Sequence, residues 1–193
     1  MKSAFEPLMA GAVSYMVVGR ETLPAKPILL PGSFNPLHQG HKGLLVAAEE
    51  TTGRDGLFEL SVENVDKPPL SRGEIERRLN LIGHACPVVL TRAPTFIEKA
   101  RLFPGAWFAL GYDTAIRLLS PKYHADIPSM LGEFRSLNIR FVVAGRLYRG
   151  KFEGLADMKV PPGFEDLFIP ISEGLFREDI SSTELRGKND LSL

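Results

Sequence analysis

The stretch Gly32-Ser33-Phe34-Asn35-Pro36-Leu37-His38-Gln39-Gly40-His41 places two imidazoles three residues apart on a glycine-bounded turn. The apolar run Pro27-Ile28-Leu29-Leu30 before it reads as a short buried strand, and Gly40 to Ala48 after it reads as a helix. His38 and His41 therefore fall at a strand-to-helix junction, where first-turn N–H groups lack backbone partners and the helix dipole favours an anion. The chemistry that suits this arrangement is the holding of phosphate, with the imidazoles as added side-chain donors. Pro36 fixes its own φ and keeps Asn35 extended, so the chain turns sharply before the helix. A second such group lies near the C-terminus, in Ile180-Ser181-Ser182-Thr183-Glu184-Leu185-Arg186. Ser181 and Glu184 there also spell a capping box, which accounts for those two residues but not for Arg186 or the paired hydroxyls.

The first stretch resembles the G-x-F-x-P-x-H-x-G-H signature of the nucleotidylyltransferase superfamily. Its His38-Gln39-Gly40-His41 core is also similar to the H-x-G-H of class I aminoacyl-tRNA synthetases, but a K-M-S-K-S-type loop is absent and 193 residues leave no room for tRNA-binding domains. The C-terminal stretch resembles the I-S-S-T-x-x-R motif of nicotinamide/nicotinate mononucleotide adenylyltransferases. The resemblance implies transfer of AMP from Mg-ATP to a phosphate-bearing acceptor, with Mg2+ as cofactor and pyrophosphate as product. It implies that His41 and His38 serve the α- and β-phosphates and that Arg186 serves the β- and γ-phosphates. Gly32, Ser33, Phe34, Gly40, Ser181, Ser182 and Thr183 then complete the nucleotide site. A cytidylyltransferase or phosphopantetheine adenylyltransferase shares the histidine turn, and a catalytically silent nucleotide-binding module is the non-enzyme alternative.

Apolar segments alternate with helical patterns, the mark of a parallel sheet covered on both faces. The expected fold is α/β, a Rossmann-like doubly wound parallel sheet of five or six strands. The candidate strands are Ile28–Leu30, Leu57–Val62, Val88–Leu90, Trp107–Leu110, Ile139–Ala144 and Leu167–Ile169. Ser71 and Glu74 form a capping box ahead of Ile75, Leu79 and Ile82 at helical spacing. Further helices are expected over Pro94–Leu102, Tyr112–Leu119 and Pro128–Leu137. The nucleotidylyltransferase resemblance covers roughly residues 27–187 and implies a domain at 27–193. Residues 1–26 carry no motif and fit an arm, a partial strand–helix unit or the remnant of an upstream domain.

Ligands of such sheets bind beyond the carboxyl ends of the strands, at the topological switch point. Trp107-Phe108-Ala109-Leu110-Gly111-Tyr112-Asp113 delivers a glycine and then a carboxylate there, and resembles the G-x-D element that contacts nucleotide in the mononucleotide enzymes. Gly111 and Asp113 are the candidates for that contact, and Arg146 resembles a family position near adenine. The resemblance puts Asn35 and Lys67, the latter on the loop Val62 to Leu70, on the acceptor side. Lys67 reads equally as an ordinary surface lysine, and Arg77 and Arg78 either add charge for phosphate or are solvated on their helix. Relatives stack an aromatic residue, often tryptophan, on the acceptor ring. Trp107 lies in a strand whose period suggests core, which leaves Phe96 and Tyr112 for that role.

With 44% hydrophobic residues the chain can bury a sizeable core. Lys plus Arg equals Asp plus Glu at 23 each, so no global charge argues for nucleic acid or membrane partners, and attraction for phosphate must be local. The single cysteine, Cys86, excludes an internal disulfide and suits a reducing, cytoplasmic setting. No apolar run approaches the about 20 residues of a membrane span, and Glu6 and Pro7 interrupt a signal-peptide pattern. Composition leaves a homo-oligomer open.

Arg186 separates the phosphate role of its segment from the capping role. A guanidinium fork grips two phosphate oxygens where lysine offers a point charge, so Arg186→Lys should recover only part of the kcat/KM for ATP lost in Arg186→Ala, with thermal stability nearly unchanged. An Arg186→Ala protein that melts early but turns over normally when folded would make the residue structural.

Overall fold

The structure is a computed structural model that describes residues 5–65, 68–83, 86–122, 124–148 and 151–176. Its centre is a seven-stranded sheet in the order β1-β4-β3-β2-β5-β6-β9. The strands are β1 (Tyr15–Val18), β2 (Ile28–Pro31), β3 (Gly56–Ser61), β4 (Val88–Thr91), β5 (Trp107–Gly111), β6 (Arg140–Ala144) and β9 (Phe168–Ile171), with β7 (Arg146–Tyr148) and β8 (Lys151–Glu153) pairing as a separate hairpin. Every pairing in the large sheet is parallel except β1 with β4, where Tyr15 lies opposite Thr91 and Val18 opposite Val88. The six strands expected from the sequence are therefore present, and the seventh comes from the segment before residue 27. That segment also supplies the short α1 (Glu6–Met9), whose Leu8 is fully buried.

Period-two alternation divides the strand side chains between two faces. Ile28, Leu30, Phe58, Leu60, Ala109 and Val142 pack under α2 (Gln39–Thr52) and α3 (Arg72–Ile82). Leu29, Leu57, Phe108, Leu110, Phe141 and Val143 pack under α4 (Phe96–Leu102), α5 (Tyr112–Leu118) and α6 (Ile127–Ser136). The central strands β2 to β6 are buried on both faces, as a parallel sheet requires. The helix boundaries follow local chemistry. Gly53, at φ 65°, takes the left-handed conformation that closes α2. Asp126 accepts from Ser129 N at 2.9 Å to start α6. Thr95 and Glu98 form a full capping box on α4, with Glu98 Oε2 2.8 Å from Thr95 N. Among the described residues no helix is long and apolar enough to cross a membrane.

One charged pair lies inside this core. Glu59 on β3 is 1% exposed and Lys99 on α4 is 4% exposed, and Lys99 Nζ donates to Glu59 Oε1 at 2.9 Å. Thr91 Oγ1 donates to the same oxygen at 2.5 Å, and Lys99 also donates to the Ala93 carbonyl. These bonds tie β3, β4 and α4 together close to the carboxyl edge of the sheet. Removing one partner leaves the other charge buried and uncompensated, so Lys99→Met should lower unfolding stability by about 3–5 kcal/mol, and Lys99→Met with Glu59→Leu should recover much of that loss. Urea midpoints for the two variants check this; equal losses would show that the stranded Glu59 charge is not what destabilises Lys99→Met.

Candidate active site

The strand order reverses between β2 and β5. From β2 the chain runs outward through β3 and β4, and from β5 it runs the other way through β6 and β9. The crevice beyond the carboxyl ends of β2 and β5 is thus the switch point at which open α/β sheets bind ligands. The histidine turn follows β2, and Gly111 to Asp113 follow β5.

The histidine turn is anchored from below by Phe34. The residue has φ 46°, which is unusual for a bulky side chain, and its ring is fully buried, edge-on to Phe58 at 5.0 Å and to His41 at 5.2 Å. Gly32 is required by this packing, because a Cβ there would stand 2.6 Å from the Phe34 ring. The Phe34 side chain, expected on the nucleotide, is therefore unavailable to a ligand; its work is to seat the turn and to wall one side of His41. The Asn35–Pro36 peptide is cis.

His38 is the N-cap residue of α2, Gly40 stands at its second position and His41 at its third. His41 Nδ1 accepts from His38 N at 3.3 Å, and the two rings lie with centroids 3.7 Å apart and planes inclined by 32°. An Nδ1 that accepts carries no proton, so the neutral ring holds its hydrogen on Nε2, available as a donor. Burial, and then the charge His38 would carry, push the His41 imidazole down to about 4; burial lowers His38 as well.

From above, α3 grips the same turn. Arg78 Nη1 donates to the Ser33 carbonyl at 2.9 Å and Arg77 Nη2 to Asn35 Oδ1 at 2.6 Å. Both guanidiniums are held by Glu74, whose carboxyl they lower to about 2, Arg77 most strongly. The expected capping box is half made, because Ser71 Oγ accepts from Glu74 N at 3.3 Å while the Glu74 carboxylate faces the two arginines. Arg77 and Arg78, which the sequence leaves open between added charge for phosphate and solvated surface, are thus the turn's positioning residues. Their spacing of three and four from Glu74 was the available signal.

Across the crevice Gly111 caps α5, and Asp113 in its first turn is ion-paired with Arg146 at the start of β7. The structure so joins two of the expected nucleotide contacts. Gly145 permits the approach of the β7–β8 hairpin, since a Cβ there would lie 2.6 Å from the Glu153 carbonyl. Tyr112 is 9% exposed within the core and Phe96 lies edge-on to Phe108 and Phe141 at 5.7 and 6.1 Å, so both rings belong to the α4–α6 packing layer. Trp107 is only partly buried and stands at the opposite edge of the sheet, where β5 begins. Lys67, Ser181, Ser182, Thr183 and Arg186 lie outside the described residues. The last described residue, Phe176, rests on Gly43 of α2, where a Cβ would meet its ring at 2.8 Å.

The depressed His41 makes a pH prediction. The unfolded chain takes up this proton near pH 6.5 and the folded chain only near about 4, so the stability associated with neutral His41 is full above 6.5 and is lost as the pH falls towards and through about 4. His41→Gln should flatten the fall of the urea midpoint across that window. Parallel slopes in parent and variant would show that His41 titrates as a free imidazole.

A family profile described as cytidylyltransferase-like matches residues 29–188, a span that holds both histidines, Asp113, Arg146 and Arg186. A curated protein from Gloeobacter violaceus, named a probable nicotinate-nucleotide adenylyltransferase, is 28% identical over 173 residues, covering 80% of this chain and 79% of its own length. With the histidine turn seated at the switch point of a doubly wound sheet, these likenesses place the protein: it belongs to the cytidylyltransferase-like family and is a nucleotidyltransferase.

Proposed function

We propose that this enzyme transfers AMP from MgATP to the phosphate of nicotinate or nicotinamide mononucleotide, the former first in view of its similarity to the Gloeobacter protein, and releases pyrophosphate. The observation that carries the reading is the locked imidazole pair at the start of α2, an anion site with a fixed side-chain donor. An oxygen of the acceptor phosphate attacks the α-phosphorus, the new P–O bond forms as the bond to the β-phosphate oxygen breaks, and pyrophosphate leaves with that electron pair. The acceptor phosphate is already an anion at neutral pH, so no side-chain nucleophile and no base to activate one is needed.

Catalysis then rests on alignment and on donors aimed at developing charge. His41 Nε2–H serves the α-phosphate and His38 the β-phosphate, while Arg77 and Arg78 keep the backbone between Ser33 and Asn35 from shifting under the incoming charge. Asp113 and Arg146 hold the nucleoside side of ATP. Magnesium would enter bound to the ATP polyphosphate. Phosphate and water oxygens would supply most of its ligands, as Mg2+ favours, and the ion would offset the polyphosphate charge. The contact of Phe176 with Gly43 supports bringing Arg186, ten residues further on, to the β- and γ-phosphates. Lys67 is assigned to the acceptor phosphate. The product is a dinucleotide, which places the reaction in NAD biosynthesis, and the cytoplasm is the matching location.

Pyrophosphate release with ATP or CTP against nicotinate mononucleotide, nicotinamide mononucleotide and phosphopantetheine tests the assignment. kcat/KM should favour ATP with a pyridine mononucleotide, and His41→Ala should lower kcat on the order of 10²-fold, the scale of losing one preorganised donor. Preference for CTP, or turnover only with phosphopantetheine, would overturn the acceptor reading while leaving the family intact.

A further inference from the structure

At the amino edge of the sheet, opposite the nucleotide crevice, lies a cavity of about 460 Å3 lined by Lys26, Arg54, Trp107, Arg135, Arg140 and Asp166 among others. Trp107 opens β5 and Arg140 opens β6, so both stand at the far ends of strands that finish at Gly111 and Ala144. Arg54 follows Gly53 at the end of α2, the helix whose first turn carries His41; its 14 residues put the two ends roughly 20 Å apart.

The lining sets four cations against one carboxylate, and Arg135 already takes that carboxylate of Asp166. Asp55, beside Arg54, lies 3.8 Å from Arg20. Arg54 and Arg140 are steered by neutral groups instead: Arg54 Nη1 donates to the Gly105 carbonyl at 2.9 Å, and Arg140 Nη1 donates to the backbone carbonyl of Asp166. Carbonyls fix the direction of a guanidinium without neutralising it. Both charges also converge on one indole, with the guanidinium carbons 3.9 Å (Arg54) and 5.8 Å (Arg140) from the Trp107 ring centroid. Burial and then the Arg140 charge lower the Arg54 pKa, the sign of like charges held together. Support of the indole accounts for Arg54 and Asp166 for Arg135, but neither accounts for Lys26 and Arg140 in a chain whose charges otherwise balance at 23 of each sign.

We propose that this cavity is a second binding site, distinct from the nucleotide crevice, that takes a small phosphate-bearing anion. Guanidinium forks match phosphate oxygens in pairs, and the volume lies in the range of small-molecule sites. Trp107 is already covered by Arg54, so recognition is of the anionic group and not of a stacked base. The ligand is either a free inorganic phosphate species or the phosphate of a mononucleotide.

Trp107 is the sole tryptophan and reports directly on the site. Metal-free inorganic pyrophosphate should change its emission saturably in both the parent and His41→Ala proteins, and calorimetry on His41→Ala should find one site per chain. Arg140→Gln should weaken that binding about tenfold or more, the scale of one charge-assisted bond, with kcat/KM unchanged; Lys26→Gln, an exposed substitution, should weaken it if Arg140→Gln fails to fold. Competition by AMP for the same Trp107 signal assigns the phosphate to a nucleotide, and its absence assigns a free anion. The proposal falls if calorimetry finds no site in His41→Ala, or if the signal survives Arg140→Gln and Lys26→Gln and is lost in His41→Ala. Either result is independent of which acceptor the enzyme uses.

Discussion

The burial of the Phe34 ring is the constraint on which the active-site geometry depends. A turn of ten residues carrying two imidazoles has too few internal bonds to hold a shape, and in isolation it would sample many. Sinking Phe34 beneath the turn at φ 46° changes that, because the ring is wedged between Phe58 and His41 and cannot leave without opening the α2-side core. Gly32 must then be glycine, His41 has a wall at its back, and the His38 amide is brought to His41 Nδ1. The backbone strain, on the order of 1–3 kcal/mol for such a residue, is met by packing that over-determines the conformation.

The outer grip is electrostatic and the inner one apolar, and the two act on opposite sides of the same few atoms. Arg77 and Arg78 reach Asn35 and the Ser33 carbonyl from α3, and Glu74 holds the two guanidiniums so that their directions are set before any ligand arrives. A site prepared in this way does not have to reorganise as charge develops, which is the source of most electrostatic stabilisation in enzymes. The position of the His41 imidazole well below its ordinary value belongs to the same design. A neutral ring packed on phenylalanine keeps one nitrogen as an acceptor and the other as a donor, while a second charge 3.7 Å from His38 would repel it.

The sheet separates two kinds of charged environment by direction. Its carboxyl edge gathers the imidazoles and the Asp113–Arg146 pair, and its amino edge gathers Lys26, Arg54, Arg135 and Arg140 around Trp107. Between them the Glu59–Lys99 pair, sealed in the core, joins β3 and β4 to α4. Parallel strands make this possible, since each strand that starts at one edge ends at the other.

The sequence by itself determined the six parallel strands, their covering helices and the turn that matters, because each rests on local information: apolar period, capping residues and a motif read within ten positions. It left residues 1–26 undecided among an arm, a partial strand–helix unit and a remnant, and did not locate β1, because Tyr15–Val18 is a short edge strand without clean alternation and its partner β4 lies some seventy residues away. The role of Arg77 and Arg78 stayed open between added charge and solvated surface because their targets, Asn35 and Ser33, are more than forty residues distant. Phe34 looked like a ligand contact because its place in the motif is next to the phosphate site, and only a left-handed φ turned its ring inward. Trp107 looked like core because strand period says which face a side chain takes, not how far along the strand the sheet stops covering it. Which residues share a face was thus decided by the sequence; which distant residues share a charge, a wall or an edge was decided by the tertiary structure, since those relations exist only once separate elements are packed together.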